Sequence, residues 1–165
     1  LSYTTPQGHQ TATSRLGKMF PHKNTMAIMA ATGIDYCFSA IESTGLDLVE
    51  KAAKAQWYAR HRGFAFGKLL VSCPLNWKSE PRLGQEVLQK TADCCFFPLY
   101  EVEQGKTRLS YNPETLGRKI PISDWLESMG KTQHLLSKPE ELALLQARVD
   151  RDWARLKALH EHPLL

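Results

Sequence analysis

Cys73 has the most specific chemical setting in the sequence. It closes an apolar run, FAFGKLLVS (64–72), and is followed at once by Pro74, which cannot continue a strand's hydrogen-bond ladder. Ligands of open α/β sheets bind beyond the carboxyl ends of the strands, so a thiol here stands where a site would be. The alternative is a buried thiol acting as a small hydrophobe. The other three cysteines read as core: Cys37 lies in mid-run among apolar residues, and Cys94 and Cys95 sit at a helix-to-strand junction. No C-x-x-C is present, and neighbouring side chains on an extended segment point to opposite faces, which makes Cys94 and Cys95 a poor joint metal site. A complete metal site is therefore not encoded. Four cysteines without an export signal read as reduced thiols or metal ligands rather than disulfides.

The second chemical feature is the opening stretch SYTTPQGHQTATSRLGK (2–18). It offers hydroxyls, Gly8 and Gly17, and two cations, Arg15 and Lys18, with no carboxylate nearby. Hydroxyls and backbone amides of this kind can surround a diphosphate or line a substrate pocket. The planar fork of Arg15 matches a pair of carboxylate oxygens, or else serves a surface ion pair. His9 reads either as a base or as a surface histidine, and the other five histidines have no ligand spacing. No P-loop, G-x-G-x-x-G, H-E-x-x-H or G-x-S-x-G occurs.

The elements that must position these residues alternate. After a long opening loop (1–24), Asn24 is placed to cap a helix over 25–32 that Gly33 ends. A buried strand is expected over 34–41. Thr44 and Asp47 resemble a capping box before a helix whose apolar side would be Leu48, Val49, Ala52, Ala53 and Trp57, and a second strand follows over 64–72. This βαβ-like order predicts an α/β fold with parallel strands. A helix over 81–92 comes next, then strands over 97–102 and 107–111 joined at Glu103-Gln104-Gly105-Lys106 as an edge hairpin. A short helix capped by Ser123 and ended by Gly130 precedes a long one, with Ser137 and Glu140 as a second capping box. The long helix carries an apolar stripe, Leu142, Leu145, Val149, Trp153, Leu156 and Leu159, suited to docking on the body or on a partner subunit. The expected division is 1–113 as the sheet-bearing portion and 114–165 as a helical extension.

Composition sets the outer bounds. At 165 residues, 42% hydrophobic and 23% charged, the chain is about one ordinary globular domain, which excludes disorder, collagen and coiled coil. No apolar run is long enough for a membrane span or a secretory signal. The net charge of +4 arises early, where Arg15, Lys18 and Lys23 precede the first acid, Asp35. That excess suits a phosphorylated ligand and is too small to argue for nucleic acid.

Taken in order, the motifs resemble a known family. S-x-T-T-P-x-G-x-x-T-x-T-x-x-x-G-K (2–18), H-K-N with IMAATGIDY (28–36), DLVEKA (47–52), LLVSCPLNW (69–77) and FPLYEVEQGKTRLSYNP (97–113) are similar to the C-terminal half of the thiamin diphosphate-binding β subunit of 2-oxoacid:ferredoxin (acceptor) oxidoreductases, of which pyruvate synthase is the best-known type. The tail segments at 124–135 and 141–153 resemble that subunit's tail.

The resemblance implies the C-terminal portion of a parallel-sheet thiamin diphosphate-binding fold, with an edge hairpin and a helical tail. It implies oxidative decarboxylation of a pyruvate-like 2-oxoacid to acyl-CoA and CO2, with electrons passing through iron-sulfur clusters to ferredoxin or another acceptor. It places Thr4 and Thr5 near the diphosphate and makes Cys73 one ligand of a 4Fe-4S cluster whose other cysteines lie in the N-terminal half. The G-D-G stretch that ligates Mg²⁺ should end a few residues before Leu1, so the chain is not expected to bind thiamin diphosphate with Mg²⁺ unaided. Expected partners are alpha, gamma and delta subunits, coenzyme A and the electron acceptor, in the cytoplasm, with no membrane span and no nucleic acid. Two alternatives stay open at this point: an aromatic 2-oxoacid enzyme with another acceptor, and a non-catalytic assembly module.

Overall fold

A computed structural model describes residues 7, 8, 10, 17, 18 and 20–162. Helix α1 (Thr25–Ala31) starts where the Asn24 side chain accepts a hydrogen bond from the Ala27 N–H at 3.0 Å. Strand β1 (Tyr36–Ile41) follows and is buried at all six positions, as the centre of a sheet covered on both faces must be. Helix α2 (Gly45–His61) then crosses over to β2 (Ala65–Leu70), which runs parallel to β1 with Tyr36 opposite Ala65 and Ile41 opposite Leu70. The βαβ reading holds for this unit.

The parallel pattern stops there. Helix α3 (Pro74–Trp77), a 3-10 turn (Pro81–Leu83) and α4 (Gly84–Asp93) carry the chain back across the sheet. Cys94 caps α4, and Cys95, with φ of 60°, reverses the direction. Strand β3 (Tyr100–Glu103) therefore enters antiparallel to β1, on the side away from β2. It begins three residues later than the sequence pattern suggests. Phe96, Phe97 and Leu99 are spent on the core around Pro98, and the Phe97 N–H is held by the Thr91 carbonyl at 3.0 Å. Strand β4 (Lys106–Leu109) completes the expected hairpin through Gln104 and Gly105, at φ of 49° and 79°. Two consecutive left-handed residues match the twist of a two-residue hairpin. The fold class is α/β, and the sheet is mixed, in the order β2-β1-β3-β4. Among the described residues β2 has no strand on its outer side; Leu69 within it and Phe64 and Val71 beside it are exposed.

Helices α5 (Ile122–Glu127), α6 (Gln133–Leu136) and α7 (Pro139–Glu161) form the tail. On α7, Leu145, Val149, Trp153 and Leu156 are buried in the same apolar cluster as Cys37 and Ile41 of β1 and Leu88 of α4. The stripe thus packs on the body.

Several expected caps take other partners. The Thr44 hydroxyl bonds back to the Ile41 carbonyl and Asp47 turns to Lys51, so no capping box forms there. Ser137 likewise bonds to the His134 carbonyl, and Pro121 rather than Ser123 stands at the start of α5. Short hydroxyl side chains bond to backbone three residues behind them as readily as they cap.

The inner face of α2 is the larger correction. Val49, Ala52, Ala53 and Trp57 are exposed, whereas Lys51 and Tyr58 are buried. Alternation along β3 turns Glu101 and Glu103 toward α2, and burying carboxylates requires cations and hydroxyls opposite them. Lys54 bridges Glu101 and Glu103 at 3.0 and 2.9 Å. Tyr36 and Tyr58 donate to the same two carboxylates at 2.7 and 2.8 Å.

Candidate functional site

Cys73 is the residue from which α3 starts. It is exposed, its carbonyl accepts from the Trp77 N–H at 2.8 Å, and Pro74 occupies the first helical turn, where a missing N–H costs nothing. The turn is fixed from two sides. Glu42, just past β1, accepts from both the N–H and the hydroxyl of Ser72, at 3.1 and 2.7 Å. At the far end Lys78 adopts φ of 52°, and its carbonyl and that of Trp77 accept the N–H groups of Gly130 and Lys131 at 3.1 and 3.2 Å. Cys73 is therefore presented at the carboxyl ends of the two parallel strands, between a carboxylate clamp and the tail.

The other thiols have a different character. Cys37, Cys94 and Cys95 are buried. Burial pushes Cys37 up to about 11, against a weaker opposing pull from the Val102 backbone, and pushes Cys94 and Cys95 up to about 12. A thiol held protonated in an apolar core is a poor nucleophile and a poor metal ligand. Cys73 alone is accessible.

Helix α3 also walls an open cleft of about 500 Å³, bordered by Leu75, Asn76, Lys78, Lys131, His134 and Gln10. Gln10 brings the opening stretch to this cleft. Nearby Gly8 hydrogen-bonds through its N–H to the Lys18 carbonyl at 2.9 Å and through its carbonyl to His134 Nε2 at 3.1 Å. Its φ of 82° favours glycine, and a Cβ there would meet the Leu135 side chain at 2.8 Å. The opening stretch thus reaches the helix that Cys73 begins, although Cys73 itself does not line the cleft. Thr4 and Thr5, with His9 and Arg15, lie outside the described residues. Among the described residues, no three His, Cys, Asp or Glu side chains gather to hold a metal, and no helix is long and apolar enough to cross a membrane.

Comparison with known proteins supplies what the geometry lacks. No protein-family model matches the sequence. Pyruvate synthase subunit PorB of Thermotoga maritima is 31% identical over 168 residues, which take in 97% of this chain and 50% of that subunit. PorB of Methanothermobacter thermautotrophicus is 33% identical over 154 residues, 90% of this chain and 51% of its own. Ketoisovalerate oxidoreductase subunit VorB of Pyrococcus horikoshii is 28% identical over 165 residues, again with 51% of the subunit covered.

The chain is homologous to the PorB and VorB subunits.

As a PorB/VorB homologue it spans about half the length of the curated relatives it matches. The relatives divide between pyruvate and ketoisovalerate names, so the kinship reaches 2-oxoacid oxidoreductase subunits and leaves the particular 2-oxoacid open.

Sequence reasoning missed the charged layer under α2. Its signal was present: Glu101 and Glu103 in YEVE share one face of a strand, and Lys51 and Lys54 share one face of a helix.

Proposed function

We propose that this chain works as part of the β subunit of a 2-oxoacid:acceptor oxidoreductase, contributing Cys73 as one thiolate of a 4Fe-4S cluster. The observation that carries the reading is the single exposed thiol, at the carboxyl end of β2, in a chain homologous to such subunits. The described residues fit one corner of a cluster and no more, because no three His, Cys, Asp or Glu side chains gather among them and the other three thiols are buried. The remaining thiolates, and the Mg²⁺ ligands that accompany thiamin diphosphate, would come from the rest of the complex. Thiamin diphosphate supplies the electron sink for decarboxylation and the cluster supplies the route by which electrons leave.

The chain's own part is positional. Glu42 holds Ser72, the tail holds the far side of α3, and together they fix the backbone on which the Cys73 thiolate is offered. Thr4 and Thr5 would border the diphosphate. The substrate is a pyruvate-like or branched 2-oxoacid, the acyl group passes to coenzyme A, and the electrons go to ferredoxin or a similar acceptor. Alpha-, gamma- and delta-type subunits complete the assembly.

Cys73→Ser in the complete complex should lower iron content or shift one cluster's EPR signal and slow acceptor reduction, since a hydroxyl is a poor replacement for a soft thiolate. Cys37→Ser, Cys94→Ser and Cys95→Ser should leave iron and EPR unchanged. Full acceptor reduction with an unaltered spectrum in Cys73→Ser would overturn the assignment.

A further inference from the structure

A second cavity, of about 70 Å³, lies on the opposite side of β1 from α2, bounded by the start of α1, β2, the 95–98 turn and α7. One end is polar, with Lys68, His22 and Asn24. Met26, Phe97, Val149 and Leu156 give it an apolar portion, and Ser39 and Asp152 also line it. Lys68 faces Ser39 across the parallel pair, and its ammonium stands 5.0 Å from the centroid of the Phe97 ring.

Among the described residues Lys68 makes no ion pair and no hydrogen bond to a carboxylate. Other partly buried lysines of this chain do have acids: Lys51 has Asp47, and Lys54 has Glu101 and Glu103. Asp152 lines the same cavity and makes long ion pairs with Arg148 and Arg151 at 3.8 and 3.9 Å, and none with Lys68. A half-buried ammonium with no ion pair among the described residues bears a desolvation cost that no counter-charge offsets. Burial alone draws the Lys68 pKa below its ordinary value, with no carboxylate opposing it. Burial first, and the Lys68 and Arg148 charges next, draw the His22 pKa down, with Asp152 opposing them.

We propose that this cavity is a binding site for a small monocarboxylate with a short apolar tail, its carboxylate on Lys68 and its tail against Met26, Val149 and Leu156. The donor set fits: the ammonium provides charge, and the Asn24 amide, whose oxygen is already used in capping α1, has its N–H groups left to donate. A cavity of this volume takes a handful of heavy atoms, and its aliphatic floor rewards two or three carbons beyond the carboxylate. The site is on a different part of the molecule from the α3 cleft, and the inference does not depend on the role given to Cys73.

The test is calorimetric titration of the whole chain with isobutyrate, propionate, acetate and inorganic phosphate. Isobutyrate and propionate should bind saturably and more tightly than acetate, with phosphate weakest. Lys68→Met should weaken isobutyrate at least tenfold, whereas Lys106→Met on the exposed hairpin should leave it unchanged. Lys68→Met replaces an unpaired cation with an apolar side chain of similar length, so it should fold; Lys68→Gln serves as a second variant and should show the same loss. Absence of saturable carboxylate binding, phosphate binding as tight as isobutyrate, or isobutyrate affinity within twofold of the parent in Lys68→Met would each overturn the proposal.

Discussion

Replacing Lys51 by methionine keeps most of the side chain's length and removes its charge. The ammonium donates to the Ser39 carbonyl at 2.8 Å, to Asp47 at 2.8 Å and to the Ser110 hydroxyl at 2.7 Å, so it ties β1, α2 and the segment after β4 together. Its side chain is 4% exposed and that of Asp47 23%. After the change the Ser110 hydroxyl can rotate to another partner and Asp47 can draw on water, but the Ser39 carbonyl loses a buried donor. An unsatisfied buried group costs about 1–3 kcal/mol, and breaking a fully buried ion pair about 3–5 kcal/mol. Against this, burial already lowers the Lys51 pKa despite Asp47, so the ammonium sits at a desolvation cost that methionine does not carry. The net expectation is a loss of roughly 3 kcal/mol, read from the urea midpoint at unchanged slope. Lys106→Met, fully outside this network, should stay within about 0.5 kcal/mol. A loss below about 1 kcal/mol for Lys51→Met would refute the reasoning, because it would mean that the three acceptors find equivalent partners without the lysine.

Thiol alkylation of the folded chain should consume one cysteine rapidly, with Cys73 carrying the label by peptide mapping; the other three should react only after unfolding. His22 has its pKa lowered to about 4 by burial and nearby cations, below the ordinary 6.5. The unfolded chain therefore binds the proton first, so this contribution is complete above about pH 6.5 and is lost as pH falls toward 4. After discounting for its partial exposure, roughly 1–2 kcal/mol should disappear over that window in urea titrations, and His22→Gln should flatten the slope. Gly67→Ala would set a Cβ 2.7 Å from the Phe38 ring, so it should destabilise by about 1–3 kcal/mol, with much of the loss recovered in Gly67→Ala/Phe38→Leu.

The βαβ unit was legible because its signals are local: a capping Asn24, a run of apolar residues for β1 and the same kind of run for β2. The α7 stripe was legible for the same reason, since Leu145, Val149, Trp153 and Leu156 keep a helical period. The antiparallel entry of β3 was not, because it depends on the left-handed turn at Cys95, and nothing in the identity of a cysteine announces a positive φ. The inner face of α2 was misread for a related reason. Periodicity ranks Val49 and Trp57 above Lys51, and only the partner strand, with Glu101 and Glu103 facing α2, reverses that order. Of the α3 turn, the thiol's place after β2 could be read from Cys-Pro. The clamp that fixes it could not, since Glu42 and Gly130 are brought to it by the fold from 31 residues before and 57 after it.

The two borders of the sheet are finished to different standards. On the β4 side the outward positions are Lys106 and Arg108, and long cations discourage a foreign strand from pairing. On the β2 side no strand pairs among the described residues, and Phe64, Leu69 and Val71 are 62%, 53% and 54% exposed. Lys68, the one charge within that strand, is turned inward and guards nothing. Growth of the sheet is consequently one-sided: a further strand meets a template along β2 and a fence along β4.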